Sequence, residues 1–264
     1  MNTGTRARLR RISTDDRYLI VPMDHGVTMG PVKGLVDIES TIDAITDGGA
    51  DAVLTQKGIA PRVHDNRNGA GYVVHVNAST VLGPAPNDKR RTATVEEAIR
   101  AGADAVSFHL NVGSEYEREQ LEDLAALTDE AGRFGIPVLA MAYARGPDVD
   151  STDPEAVGHA VRVAEELGCD LVKTGYTGDA KSFERVVEST RLPVLIAGGE
   201  PEGHRATLTA IEGAMAAGAA GVSIGRSIFQ HEDSEAIARA VSAVVHDDAT
   251  PEGALETAGL ADEA

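Results

Sequence analysis

Eight short apolar runs recur along this chain with room for a helix between each pair, and that recurrence limits the fold more than any other feature. The runs are Tyr18–Met23, Ala52–Thr55, Tyr72–Val76, Ala105–Leu110, Pro137–Ala142, Leu171–Thr174, Pro193–Ala197 and Gly221–Ile224. Most are continuously apolar and rich in β-branched residues, the pattern of parallel strands buried on both faces. Three follow near-identical segments: Gly48-Gly49-Ala50-Asp51, Gly102-Ala103-Asp104 and Gly218-Ala219-Ala220, with Gly168-Cys169-Asp170 as a fourth variant. A glycine there ends a helix in a left-handed conformation, and the next apolar residues open a strand. Helices are predicted over Val95–Ala101, Tyr116–Phe134, Pro154–Leu167 and Thr207–Ala217, with Ser114 and Asp153-Pro154 as starts. Eight strand–helix units in 264 residues have the count and size of an α/β protein of the (β/α)8 TIM-barrel class. A doubly wound open sheet would carry Gly-x-Gly-x-x-Gly after its first strand, and none is there.

No linker is long or polar enough to mark a second domain. Residues 1–264 therefore read as one barrel domain, with 1–17 an N-terminal extension and 247–264 an acidic C-terminal tail whose last helix frays. Pro84–Arg91, the least apolar stretch, reads as a long loop before the fourth unit.

Charge narrows the partners. Forty-two acidic residues against 24 basic give a net charge of −18. That argues against nucleic acid, whose binding needs basic groups to neutralise phosphates. The acids are spread over many predicted helices, and only five lysines are present (33, 57, 89, 173 and 181). This pattern fits a high-salt cytoplasm, where screening removes the self-repulsion of so acidic a surface. No apolar run reaches the roughly 18–20 residues of a membrane span. The arginine-rich Met1–Arg11 leads into no apolar segment, so a cytoplasmic enzyme without a secretory signal is expected. The single cysteine, Cys169, allows no intramolecular disulfide and reads as an inert buried thiol.

In such a barrel, reactive groups sit at the C-terminal ends of the strands. Those ends present Asp24-His25, Lys57, Asn77, His109 and Asn111, Tyr143 and Arg145, Lys173 and Tyr176, Gly198-Gly199, and Gly225-Arg226. Lys173 closes an apolar run. Either its stem is buried and its head reaches the surface, or it lines a cleft where desolvation yields a neutral amine able to form a Schiff base. The glycines after the seventh and eighth strands expose backbone N–H groups, and with Arg226 they suit a phosphate. Schiff-base chemistry needs an acid and a base, for which Asp24 and Tyr143 are best placed. Lys57 is a rival amine or a neighbouring charge that depresses the pKa of Lys173, and His109 is a possible supporting group. His25, His75 and His109 fall on different strands without a close-spaced ligand pair, so neither a metal nor another cofactor is expected.

The segments Val21-Pro22-Met23-Asp24-His25-Gly26-Val27, Met141-Ala142-Tyr143-Ala144-Arg145-Gly146, Val172-Lys173-Thr174-Gly175-Tyr176-Thr177-Gly178-Asp179, Ala197-Gly198-Gly199 and Gly225-Arg226 together resemble the archaeal class I aldolases, over about Tyr18 to His246. The resemblance implies that Lys173 forms the Schiff base, Tyr143 donates a proton and Asp24 accepts one. It further implies that Asp24, His25, Gly26, Val27 and Thr28, with Tyr143, Ala144 and Arg145, line a sugar phosphate whose phosphate lies on Gly198, Gly199, Gly225 and Arg226. Around Pro22–Val27 and His109–Ser114 the similarity favours members that run a transaldolase-type exchange. That exchange moves a three-carbon unit from 1-deoxy-D-threo-hexo-2,5-diulose 6-phosphate to L-aspartate 4-semialdehyde, releasing methylglyoxal, on a route to 3-dehydroquinate and aromatic amino acids. Cleavage of fructose 1,6-bisphosphate, with glyceraldehyde 3-phosphate as the aldehyde, is the alternative; an inactive sugar-phosphate-binding protein is a second. The resemblance also implies a homo-oligomer, possibly a decameric ring. One departure stands out: Tyr143-Ala144-Arg145-Gly146 has alanine where the family commonly has proline, which frees the backbone that aims Tyr143 and Arg145.

Overall fold

The computed structural model describes residues 2–199 and 203–261. Eight parallel strands close into a barrel: β1 (Tyr18–Pro22), β2 (Ala52–Gln56), β3 (Gly71–His75), β4 (Ala105–Val112), β5 (Val138–Ala144), β6 (Leu171–Thr174), β7 (Val194–Ala197) and β8 (Gly221–Ser223). They follow chain order around the ring, and Tyr18 opposite Gly221 closes the seam between β1 and β8. Each falls on an expected run, and the predicted (β/α)8 architecture is the one observed.

Both faces of every strand are buried, each for a different reason. Leu19, Val21, Val53, Val74, Val106 and Phe108 point outward and pack under the surrounding helices. Tyr18, Ile20, Leu54, Val73, Leu139, Leu171 and Leu195 point inward and fill the lower barrel. The period-two alternation of a strand then carries each inward row upward toward the C-terminal mouth. Val73 leads to His75, Ala105 to Ser107, His109 and Asn111, Met141 to Tyr143, and Leu171 to Lys173. The barrel interior is thus apolar at its floor and polar at its mouth.

The recurring aspartates have a shared purpose at the floor. Asp51 Oδ2 accepts from the backbone N–H of Leu19 at 2.6 Å, Asp104 Oδ2 from Tyr72 at 3.0 Å, and Asp170 Oδ2 from Val138 at 3.0 Å. In each case a carboxylate that opens an even-numbered strand clips the start of the odd-numbered strand before it. The remaining segment, Gly218-Ala219-Ala220, has Ala220 at this position and no carboxylate to offer.

Local chemistry sets the helix ends. Asp153 caps Pro154–Glu166 by accepting from Glu155 and Ala156, as expected. Ser114 does not start the next helix upstream: Glu117–Phe134 begins three residues later, and Ser114 Oγ instead donates to the Asn111 carbonyl. The helix placed at Thr207–Ala217 starts earlier, at His204. Pro84–Arg91 is a loop that ends in a short antiparallel pairing of Arg90–Arg91 with Asn77–Ala78.

Both termini are more ordered than the sequence suggested. The N-terminal extension forms a helix, Thr3–Leu9, capped by Asn2, and sends Leu9 and the fully buried Ile12 into the inward core as a plug under the floor. Instead of fraying, the acidic tail holds a helix, Pro251–Ala258, capped by Thr250, with Pro251, Ala254, Leu255 and Ala258 buried. Residues 262–264 of that tail lie outside the described residues.

Candidate active site

Lys173 stands at the inward position of β6, only 7% exposed. Burial lowers its pKa to about 8, and the Arg226 charge pushes the same way, whereas Asp24 opposes both. A lysine in that range supplies free amine at neutral pH. Across the mouth, Asp24 follows β1. Burial would raise its pKa, but the charges of His75, His25 and Lys173 prevail and hold it below the usual carboxylate value. Its Oδ1 lies 3.8 Å from His25 Nδ1 and its Oδ2 lies 3.7 Å from His75 Nε2. Tyr143, inward on β5, has its pKa driven well up by burial, so its hydroxyl keeps its proton over the working pH range. A lysine of lowered pKa, an ionised carboxylate and a protonated phenol therefore share one mouth, a combination able to support Schiff-base chemistry.

A cleft of about 660 Å³ opens between Tyr143–Gly146, Thr174–Tyr176 and Ala197–Gly199. Gly198 and Gly199 line this cleft, whereas Gly225 and Arg226 follow β8 beside it. A Cβ on Gly225 would lie 2.4 Å from the Pro22 carbonyl, and Gly199 holds φ at +61°, so both positions favour glycine. Arg226 opens a short helix, Arg226–Phe229, and donates through Nη2 to the Gly199 carbonyl at 2.8 Å, joining the β7 and β8 loops. His25, Gly26, Val27 and Thr28 form another short helix, His25–Met29, at the rim. There the His25 ring packs edge-on to Phe229 at 5.2 Å.

The alanine in place of proline lies within β5. β5 runs on through Ala144, paired with Val112, and the Arg145 N–H donates to the Val112 carbonyl at 2.8 Å. The Arg145 guanidinium sits 5.1 Å from the Tyr143 ring centroid, and the His109 ring lies 5.1 Å away from that ring.

Several strand-end residues stand apart from this chemistry. Lys57 points away from the mouth: its Nζ binds Glu97 at 2.7 Å, and it has no part in lowering the pKa of Lys173. The charge that acts on Lys173 as Lys57 was expected to is that of Arg226. Asn77 is structural, holding both the N–H and the carbonyl of His109. Tyr176 packs on Phe183 and borders the cleft. Burial raises the Cys169 thiol far above its ordinary value, which keeps it unreactive. Among the described residues, no three His, Cys, Asp or Glu side chains converge as a metal set.

Two polar groups were named in the sequence but not placed at the mouth. Lys89, from the Pro84–Arg91 loop, is 8% exposed, with its Nζ donating to Ser79 Oγ at 2.7 Å. Burial and the Arg145 charge lower its pKa, and its own charge helps to hold His109 in the neutral form. His75 is 3% exposed and its Nδ1 lies 2.8 Å from Ser107 Oγ. Both would have been found by following the inward rows up the strands and asking which loop covers the mouth.

Known proteins share this sequence and fold over most of their length. A DeoC/LacD family aldolase model matches residues 18–231. A 2-amino-3,7-dideoxy-D-threo-hept-6-ulosonate synthase of Halobacterium salinarum is 63% identical over 259 residues, 98% of each chain. A 2-amino-4,5-dihydroxy-6-oxo-7-(phosphonooxy)heptanoate synthase of Streptomyces griseus is 39% identical over 259 residues, 96% of this chain and 94% of that one. The crystal structure of an archaeal fructose 1,6-bisphosphate aldolase superposes with a TM-score of 0.86 at 33% identity, over 93% of this chain and 100% of that one. With a closed barrel and a buried lysine at its mouth, the chain belongs to the DeoC/LacD aldolase family.

Proposed function

We propose that this enzyme is a 2-amino-3,7-dideoxy-D-threo-hept-6-ulosonate synthase that works through a Schiff base on Lys173. The observation that carries the reading is the buried amine of Lys173, with a pKa of about 8, placed in one mouth with Asp24 and Tyr143. The 63% identity to the Halobacterium synthase favours this activity over fructose-bisphosphate cleavage.

Counting atoms corrects one expectation. The product named for the Halobacterium relative has seven carbons, is deoxy at C7 and carries no phosphate. Four carbons come from L-aspartate 4-semialdehyde, so three come from the donor, and they must include its methyl end. The phosphate then departs with the other three carbons as a phosphorylated dicarbonyl, 2,3-dioxopropyl phosphate, and not as methylglyoxal. Retaining the phosphate end would give a 7-phosphonooxy product, the kind named for the Streptomyces relative.

The Lys173 amine adds to C2 of the diulose phosphate, and Tyr143 protonates the departing water as the imine forms. Asp24 takes the proton of the C4 hydroxyl. The C3–C4 bond breaks, its electron pair passes into the imine to give an enamine, and the phosphorylated dicarbonyl leaves. The enamine carbon then attacks the aldehyde of L-aspartate 4-semialdehyde, Asp24 returns its proton to the new alkoxide, and water releases the product. Gly198, Gly199, Gly225 and Arg226 hold the phosphate, while Asp24–Thr28 and Tyr143–Arg145 line the carbon chain. The enzyme acts in the cytoplasm; no described helix is long and apolar enough to cross a membrane. It acts as a homo-oligomer, which the exposed Val27, Met29, Val81 and Leu82 near one rim favour. A monomer on sedimentation in high salt would refute the last point.

The test is borohydride trapping with peptide mass spectrometry in high salt, run in parallel with the diulose phosphate and fructose 1,6-bisphosphate. An adduct on Lys173 with release of 2,3-dioxopropyl phosphate supports the synthase. Trapping and cleavage of fructose 1,6-bisphosphate alone would make the enzyme a fructose-bisphosphate aldolase. No adduct on Lys173 from either donor would overturn the covalent mechanism and leave a binding protein.

A further inference from the structure

One polar chain inside the barrel reaches Asp24 through two residues, Ser107 and His75, that the mechanism above does not use. Ser107 on β4, His75 on β3 and Asp24 beyond β1 lie in sequence across the interior. Ser107 Oγ is 2.8 Å from His75 Nδ1, and His75 Nε2 is 3.7 Å from Asp24 Oδ2. Ser107 and His75 face each other in the strand register, both at inward positions. Ser107 is fully buried and His75 nearly so. A buried histidine of this kind is either an isolated polar group that happens to be satisfied or a group whose second nitrogen serves a purpose. The second nitrogen decides the matter, because it is directed at the carboxylate that must move a proton.

We propose that His75, anchored by Ser107, is the positioning residue that aims Asp24 at the substrate hydroxyl. In this proposal the Ser107 hydroxyl, 2.8 Å from Nδ1, is the donor of that pair, which places the ring proton on Nε2, on the side of Asp24 Oδ2. The 3.7 Å gap is longer than a hydrogen bond and closes when substrate draws the carboxylate inward, as is common between free and substrate-bound sites. Oδ1 then remains for the hydroxyl. In an exchange reaction Asp24 must keep the proton it has taken while one aldehyde leaves and another enters, so a fixed carboxylate geometry matters through the whole cycle.

The inference rests on Asp24 being the proton acceptor in the reading above. Other charged and titratable groups act on this pair. His25 and Lys173 also act on Asp24, and Tyr143 and Lys89 feel its charge. Lys89 and Lys173 act on His75, whose charge in turn reaches His109. Among the neighbours that favour the ionised form of Asp24, His75 acts most strongly.

The test compares His75→Leu, His75→Gln and Ser107→Ala with the wild type, using whichever donor the wild type cleaves, across a full pH range. Glutamine keeps an N–H near the Nε2 position but cannot titrate. With His75→Leu, the acidic limb of kcat moves up by about one pH unit, because Asp24 loses the donor that favours its ionised form. kcat falls at least about tenfold while KM changes little. His75→Gln recovers most of that loss, and Ser107→Ala shifts the limb in the same direction by less. An unmoved limb in His75→Leu, or a His75→Gln enzyme as impaired as His75→Leu, would overturn the proposal. If the leucine variant does not fold, an unchanged pH profile in Ser107→Ala would do the same. The choice of donor tests the function and the variant series tests His75, so the two fail separately; a wild type that cleaves neither donor overturns both.

Discussion

Replacing Asp24 with asparagine should separate imine formation from carbon–carbon cleavage, and in opposite directions. Lys173 has a pKa of about 8, so about one amine in ten is neutral at pH 7, against about one in 3,000 at the ordinary value of 10.5. Of the charges acting on Lys173, Asp24 favours the ammonium form. Asp24→Asn removes that influence, the Lys173 pKa falls further, and the neutral fraction at pH 7 rises from about a tenth toward unity. The initial rate of imine formation at pH 7 therefore increases, with a ceiling of about tenfold. Cleavage has lost its base and should drop about 10²–10⁴-fold. The assay is a rapid borohydride quench at a series of pH values, with the Lys173 peptide quantified by mass, alongside turnover of the same donor. The midpoint of trapping against pH should lie below that of the wild type. Trapping that declines in step with turnover, or a midpoint that moves upward, would show that Asp24 does not act on Lys173 as a charge.

Other outcomes are equally definite. Lys57→Met should leave turnover within about twofold of the wild type, since Lys57 serves a partly exposed pair with Glu97 away from the mouth; a large loss would return Lys57 to the site. Ile12→Ala should destabilise the plug by about 2–4 kcal/mol, lowering Tm by roughly 5–15 °C in calorimetry. Trapping at Lys173 should persist below that Tm, and its loss would mean that floor and mouth are coupled. Dialysis to low salt should lower Tm, because a net charge of −18 then repels itself unscreened; a salt-independent Tm would sink the high-salt reading.

The barrel was legible because burial on both faces leaves a simple mark, a short apolar run, and that mark repeats eight times. Lys173, Asp24 and Tyr143 were legible because polar residues at the ends of such runs have nowhere to go but the mouth. What the runs conceal is which inward residues lie below the ends. His75 and Ser107 sit within the strand rows, where the sequence offers only a histidine and a serine among valines. Lys89 was hidden differently, since a lysine in a polar loop looks solvated until the loop folds over the barrel. Lys57 misled for the opposite reason. It follows a strand directly, but a tight turn at Lys57–Ile59 rotates it outward toward Glu97. The ordered tail was missed because its helix depends on Thr250 as a cap and on four small or apolar residues spaced to face the barrel's last long helix, Ser234–Asp247.

The aspartate clips at the floor divide the ring into pairs. β1 with β2, β3 with β4, and β5 with β6 are each fastened at the floor by a carboxylate as well as by the backbone ladder, whereas among the described residues β7 with β8 has no such clip at the floor. Seen as modules, the barrel consists of three stapled two-strand units and one unstapled unit. The amine, the carboxylate and the phenol all rise from stapled units; the glycine loops that Arg226 bridges rise from the unstapled one. The three groups proposed to make and break bonds thus stand above clipped pairs, and the glycine loops proposed to hold the phosphate stand above the pair without a floor clip.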